Sequence, residues 1–191
     1  MEKSALIDSD VNYDWNFLNY PIHTISAKPE QTSKECAILL IHGFGASTDH
    51  WRFNIPILSS KYEVHAMDLL GFGKSPKPQD VEYSGSLWKD QVVAYVQEKI
   101  KKPTIVVGNS LGGYAALAAG AELNELNAGV ILLNAAGYFS EEKTIKKNML
   151  QTSIETVAGI FLKNIVLQRL IFENMRNPKN IKKTLNQVYV D

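Results

Sequence analysis

Ser110 stands at the centre of Gly108-Asn109-Ser110-Leu111-Gly112-Gly113, directly after the apolar run 104–107 and before an alanine-rich stretch at 114–122. A strand that turns sharply into a helix forces the residue at the turn into a strained conformation and presents its side chain to the open. Small neighbours are needed there. Gly108 and Gly112 lack the Cβ atoms that would collide where strand and helix cross, and Gly113 leaves room for close helix packing. The pattern therefore predicts a nucleophile elbow, with the Ser110 hydroxyl attacking a carbonyl carbon.

Such an attack places negative charge on the carbonyl oxygen, and two backbone N–H groups must already point at it. One is the N–H of Leu111, next after the nucleophile. The other is expected from a second constellation, where Cys36-Ala37-Ile38-Leu39-Leu40-Ile41 ends in His42-Gly43-Phe44-Gly45-Ala46-Ser47. That run reads as a buried strand opening into an oxyanion loop, with Phe44 as the donor. Loss of one such donor typically costs about 3 to 4 kcal/mol of transition-state stabilisation. Gly43, Phe44 and Asn109 are expected to line the substrate site.

A third segment, Tyr62-Glu63-Val64-His65-Ala66-Met67-Asp68, runs into Leu69-Leu70-Gly71-Phe72-Gly73-Lys74-Ser75-Pro76. Gly73-Lys74-Ser75 has the look of the end of a phosphate-binding loop. That motif needs a glycine where Asp68 stands, and Pro76 and Pro78 break the helix that should follow, which argues against nucleotide binding. Asp68 is expected to tie down its loop through backbone N–H groups.

The elements that must position these residues follow from periodicity. Residues 13–18 and 22–26 are candidate strands of an amino-terminal hairpin, ahead of a first parallel strand at 37–41. Trp88, Val92, Val96 and Ile100 recur every four residues on one helical face, and Lys102-Pro103 closes that helix. Residues 129–133 read as another buried strand, with Asn134-Ala135-Ala136-Gly137 as its exit. Strands alternating with helices predict an α/β fold with a mostly parallel sheet flanked by helices.

His42-Gly43-Phe44-Gly45, Asp68-x-x-Gly71-x-Gly73-x-Ser75 and Gly108-x-Ser110-x-Gly112-Gly113, in this order and spacing, resemble the α/β-hydrolase superfamily, over most of the chain from about Tyr13. Leu87-Trp88-Lys89-Asp90-Gln91-Val92, Gly108 to Tyr114 and Val130-Ile131-Leu132-Leu133-Asn134-Ala135 are more narrowly similar to its pheophytinase-like branch. The resemblance implies a serine hydrolase acting on a carboxylic ester, a lipophilic one in that branch, through an acyl-enzyme on Ser110. A serine at the elbow sets the chain apart from the epoxide hydrolases and haloalkane dehalogenases of similar shape, which use an aspartate there.

The resemblance also implies two parts, a core at 1–139 and an incomplete helical cap at 140–191. The second part is apolar along Val157, Ile160, Phe161, Ile165, Val166, Leu167, Leu170, Ile171 and Phe172. Such a stripe suits a lid over a lipophilic substrate, though packing of the cap on the core or on itself is the stronger explanation.

In this family the triad runs Ser, then Asp or Glu, then His along the chain. Here the four histidines, His23, His42, His50 and His65, all precede Ser110. The chain is accordingly expected to stop inside the cap, before the carboxylate and histidine. Glu141, Glu142 and Glu155 read as a solvated helix face rather than as the acid. A chain that stops there leaves 129–133 as an unprotected sheet edge, open to pairing with a second chain. Two further readings stand beside the enzyme: a catalytically incomplete remnant or binding module for an apolar ligand, and half of a split hydrolase whose second chain brings Asp and His.

Composition narrows the classes. A chain of 191 residues that is 45% apolar can bury a core, and a formal net charge of zero offers no field for nucleic acid or an acidic membrane. The amino terminus lacks the long apolar core of a signal peptide and no apolar stretch is long enough to span a bilayer, so the expected location is cytoplasmic. Cys36 is the only cysteine, so no internal disulfide can form. No spacing of His, Cys or carboxylates suggests a metal, and no cofactor is expected.

Overall fold

The computed structural model describes residues 10–12, 15–29, 35–136, 173 and 176–182. The chain divides into two compact units, Met1–Phe139 and Ser140–Asp191. In the second unit residues 178–182 are helical, opened by Asn177, whose Oδ1 accepts the Lys179 N–H at 3.0 Å. The apolar stripe from Val157 to Phe172 and the glutamates Glu141, Glu142 and Glu155 lie outside the described residues.

In the first unit the strands are β1 (Asp10–Asn12), β2 (Asn16–Phe17), β3 (Tyr20–Pro21), β4 (Thr24–Ala27), β5 (Ala37–Ile41), β6 (Glu63–Met67), β7 (Thr104–Asn109) and β8 (Asn127–Leu133). The helices are α1 (Asn54–Ser59), α2 (Gly85–Tyr95) and α3 (Leu111–Glu122). Six strands form one sheet in the order β1-β4-β6-β5-β7-β8. The pairs β6–β5, β5–β7 and β7–β8 are parallel, while β1 and β4 add an antiparallel edge. This is the mostly parallel, helix-flanked sheet that the alternation of strands and helices predicts.

Side-chain alternation along β5 sorts its residues into two cores. Leu39 and Ile41 face the larger one, with Met67, Val106, Val92 of α2 and Ala115, Ala116 and Ala119 of α3. Ile38 and Leu40 face the smaller one, with Val64, Ala66, Trp51 and Ile55 of α1. Every residue of β5 is buried, as a strand covered on both faces should be. Cover thins outward from there. β7 alternates buried with half-buried positions, and on β8 Ile131, Leu132 and Leu133 are 47%, 38% and 39% exposed. Among the described residues β8 has a strand neighbour on one side only, which corrects the reading of 129–133 as a buried strand and agrees with its reading as a sheet edge.

The amino-terminal hairpin also differs from expectation. Leu18 and Asn19 both adopt positive φ, 50° and 66°, which closes a tight two-residue turn between β2 and β3. The longer antiparallel pair is β1 with β4, in register Val11 to Ile25. The small hairpin instead delivers Trp15 and Phe17 to the core. Trp15 sits edge-on to Tyr95 at 5.0 Å and donates its indole N–H to Glu98 at 2.7 Å.

Helix α2 starts where Ser84 Oγ accepts the Leu87 N–H at 3.2 Å. Trp88, Val92, Val96 and Ile100 are all buried, as their spacing predicts. A four-residue period outruns the roughly 3.6 residues of an α-turn, and a π-helical turn at Val96–Ile100 takes up the difference. Lys101 then reverses the chain at φ 57°. No helix among the described residues is long and apolar enough to cross a membrane.

At the start of β6, the buried Glu63 accepts from His65 Nε2–H at 2.9 Å and pairs with Lys28 at 3.1 Å and with Lys102. Tyr95 lies against the other ring nitrogen of His65, its hydroxyl 3.2 Å from Nδ1. These partners, the His65 hydrogen bond first, hold the Glu63 carboxyl far below its ordinary value of 4.5. A carboxyl lowered by folding stabilises the fold above its unfolded pKa and loses that contribution as pH falls. Glu63→Gln should therefore lower unfolding free energy at neutral pH by about 1.5 to 3 kcal/mol. In urea titrations the gap to the parent chain should narrow steadily below pH 4.5; a gap that does not change with pH would show that the charge of Glu63 is not what stabilises.

Candidate active site

Ser110 lies between the last residue of β7 and the first of α3, at φ 51° and ψ −116°, outside the regions open to residues with a side chain. Its backbone is held from two sides. Its carbonyl accepts N–H groups of Gly113 at 2.9 Å and of Ala136 at 2.9 Å, and its own N–H donates to the Leu133 carbonyl at 3.0 Å. The first pins Ser110 to its helix, the others to the end of β8. A Cβ on Gly108 would run into the Gly112 carbonyl, and one on Gly112 would run into the carbonyls of Ile41 and His42. The strand–helix crossing behind the turn and the approach of α3 to the end of β5 therefore both depend on hydrogen where other residues carry carbon.

The loop after β5 comes up against this turn. A Cβ built on Gly43 would lie 3.1 Å from Ser110 Cβ and 3.2 Å from Asn109 Oδ1, so Gly43, Asn109 and Ser110 are brought together as expected for one site. The loop folds as a turn, with the Ala46 N–H donating to the Gly43 carbonyl at 3.3 Å and Gly45 at φ 68°. Phe44, at the turn's first corner, is 78% exposed and rests edge-on against Phe72 at 5.4 Å. Leu111 is the first residue of α3, where N–H groups have no acceptor within the helix.

Asp68 holds this arrangement from behind. It is fully buried, and its Oδ1 accepts the Thr48 N–H at 2.6 Å while Oδ2 accepts the Lys74 N–H at 2.7 Å and faces His23 Nδ1 at 3.0 Å. The Asp68 carbonyl accepts from Ser75 Oγ at 2.8 Å and from Gln91 Nε2 at 3.3 Å. Gly73, at φ 51°, sits so close over the carboxylate that a Cβ would strike it. Asp68 thus ties down its loop as the sequence predicts, and reaches further, to the loop after β5 through Thr48. Sequence reasoning gave no role to Gln91, whose Oε1 also accepts the Leu70 N–H at 2.9 Å, or to Phe72, which touches His42, Phe44 and Trp88. A polar Gln91 beside the apolar stripe of α2 was the available signal.

Each of the four histidines has a contact of its own elsewhere. His42 is fully buried with both ring nitrogens engaged, Nδ1 by the Gly43 carbonyl at 2.7 Å and Nε2 by the Leu69 N–H at 3.1 Å. Burial pushes its pKa down, so the ring is neutral. His23 is buried against Asp68 and His65 against Glu63, while His50 lies edge-on to Trp51 at 5.0 Å. Among the described residues no group of three or more His, Cys, Asp or Glu is placed to hold a metal ion.

The strain at Ser110 is measurable. Ser110→Gly should be more stable than Ser110→Ala by about 1 kcal/mol, since glycine accepts a positive φ that alanine resists, less the entropy glycine loses on folding. Thermal unfolding of the two variants decides; an alanine variant as stable as the glycine one would mean that the turn is unstrained.

A family model described as alpha/beta hydrolase fold matches residues 37–175. The chain is 29% identical over 188 residues to chloroplastic pheophytinase of Arabidopsis thaliana, covering 81% of this chain and 39% of that protein. It is 37% identical over 119 residues to 2-hydroxy-6-oxo-6-(2'-aminophenyl)hexa-2,4-dienoic acid hydrolase of Metapseudomonas resinovorans, covering 58% of this chain and 39% of the other. Among solved structures it is similar to a membrane phospholipase A described as a bacterial virulence factor, with a TM-score of 0.65 and 28% identity over 88% of this chain and 48% of that one. The chain thus spans about two fifths of the length of these two curated relatives. Elbow, glycine-lined crossing and parallel sheet agree with the match: the chain belongs to the α/β-hydrolase fold family.

Proposed function

We propose that this chain carries the nucleophile of a serine hydrolase that cleaves a carboxylic ester with an apolar acyl or alcohol part. The observation that carries the reading is the strained Ser110 at the head of α3 with Gly43 packed against it. Ser110 Oγ attacks the ester carbonyl, its proton passes to a general base, and the alcohol leaves as the acyl-enzyme forms. The developing oxyanion is received by the N–H groups of Leu111 and Phe44. Gly43, Phe44 and Asn109 line the substrate, and the exposed Phe44 ring backed by Phe72 favours an apolar group. Pheophytinase and a membrane phospholipase A among the similar proteins support a lipophilic substrate. Residues 140–191, a unit of their own, are the helical cap segment in this reading.

In this reading no histidine of the chain is the base: each precedes Ser110, whereas the family's order places the base after the nucleophile, and the ring nitrogens of His42 are taken. A second reading is favoured by the exposure of Ile131, Leu132 and Leu133 on β8: half of a split hydrolase, with the missing groups on a second chain paired to that edge.

An external base can stand in for an absent histidine. A fluorophosphonate probe and a short chromogenic ester should show Ser110 reacting slowly in buffer, with both rates rising as imidazole is added and both lost in Ser110→Ala. Without imidazole, turnover should lie near the background, since loss of a triad histidine alone costs on the order of 10⁶ in kcat. No labelling of Ser110 at any imidazole concentration would defeat the nucleophile assignment. Full turnover without imidazole would place the base within these residues.

A further inference from the structure

We propose that His42 is a positioning residue that aims the Phe44 N–H at the reacting oxygen by fixing the orientation of the Gly43–Phe44 peptide. The inference rests on the reading of Phe44 as an oxyanion donor and adds what sets that donor's direction.

The ring's protonation pattern follows from its partners. The Leu69 N–H can only donate, so Nε2 of His42 must be the acceptor at 3.1 Å. The one proton of the neutral ring therefore sits on Nδ1, where the Gly43 carbonyl accepts it at 2.7 Å. The same carbonyl also accepts the Ala46 N–H at 3.3 Å. Two donors thus hold the Gly43 oxygen, one in the buried interior and one within the turn.

A trans peptide is planar, with its C=O and N–H on opposite edges. Holding the Gly43 oxygen toward the buried His42 ring turns the Phe44 N–H away from it. Glycine offers this peptide little resistance to rotation, since residue 43 lacks the Cβ that would limit its ψ. The hydrogen bond from Nδ1 supplies the restraint that the backbone lacks. The tautomer is imposed in turn by Leu69, the neighbour of Asp68 at the start of the loop after β6. Phe72 of that loop packs edge-on to the His42 ring at 5.8 Å and to Phe44 at 5.4 Å, so the ring and the corner it controls share one support.

Two substitutions separate the two nitrogens. Asparagine places an N–H near the Nδ1 position, whereas glutamine reaches the Nε2 position and leaves the Gly43 carbonyl without its side-chain donor. Phenylboronic acid, which forms a tetrahedral adduct with a serine hydroxyl and sets an oxygen where the oxyanion would lie, is the probe, followed by boron NMR. His42→Gln should weaken the adduct by at least about tenfold, toward the 10²- to 10³-fold that loss of an oxyanion donor costs in catalysis, and His42→Asn should regain most of it. Equal binding by His42→Gln and the parent chain would overturn the proposal. An adduct that persists in Ser110→Ala, or fails to form in the parent chain at any imidazole concentration, counts against the Ser110 reading instead. Nitrogen NMR of labelled histidine in the parent chain then decides the positioning claim without any adduct. A protonated Nδ1 with a bare Nε2 supports it, and the opposite tautomer refutes it.

Discussion

A single buried carboxylate organises the carboxyl-terminal end of this sheet. Asp68 receives N–H groups from two loops, after β5 and after β6, and faces the ring of His23 at the entry to β4. Its main-chain carbonyl draws in α2 through Gln91. Hydrogen bonds to a charged acceptor are stronger than neutral ones, and a buried carboxylate without them is costly, so these segments are held where the carboxylate requires them. The loops that surround Ser110 are irregular in backbone, and loops of that kind need such an internal anchor to keep a fixed shape. Gly73 belongs to the same device: the loop passes so near the carboxylate that no larger residue fits.

The parts that were legible in the sequence are those in which local pattern and tertiary environment agree. β5 is apolar throughout and buried throughout, and the elbow glycines stand where a Cβ would strike backbone. The buried stripe of α2 could be read from its spacing alone. Asp68 was recognisable as a loop anchor because an aspartate before a glycine-rich segment binds backbone N–H groups. Its reach to Thr48, twenty residues upstream, was not, since nothing local marks which distant amide a carboxylate will meet.

Elsewhere the sequence misled for identifiable reasons. The turn at Leu18-Asn19 carries no glycine, so the tight hairpin it closes had no signal; β2 was read as part of a longer strand and β3 as part of the connection after it. The apolar character of 129–133 suggested burial, but hydrophobic residues record what a strand is suited to contact, not what contacts it. The neutral state and tautomer of His42 emerge only when its neighbours are known.

The main-chain bonds from Ser110 to Leu133 and Ala136 join the strained turn to a thinly covered strand. Proteins open locally in cooperative pieces, and strands at a sheet border open more readily than those at the centre. The geometry of the serine is therefore set by the border of the sheet as much as by its core. Whatever lies against the outer side of β8 acts on the nucleophile without touching it, by deciding how often that strand lets go.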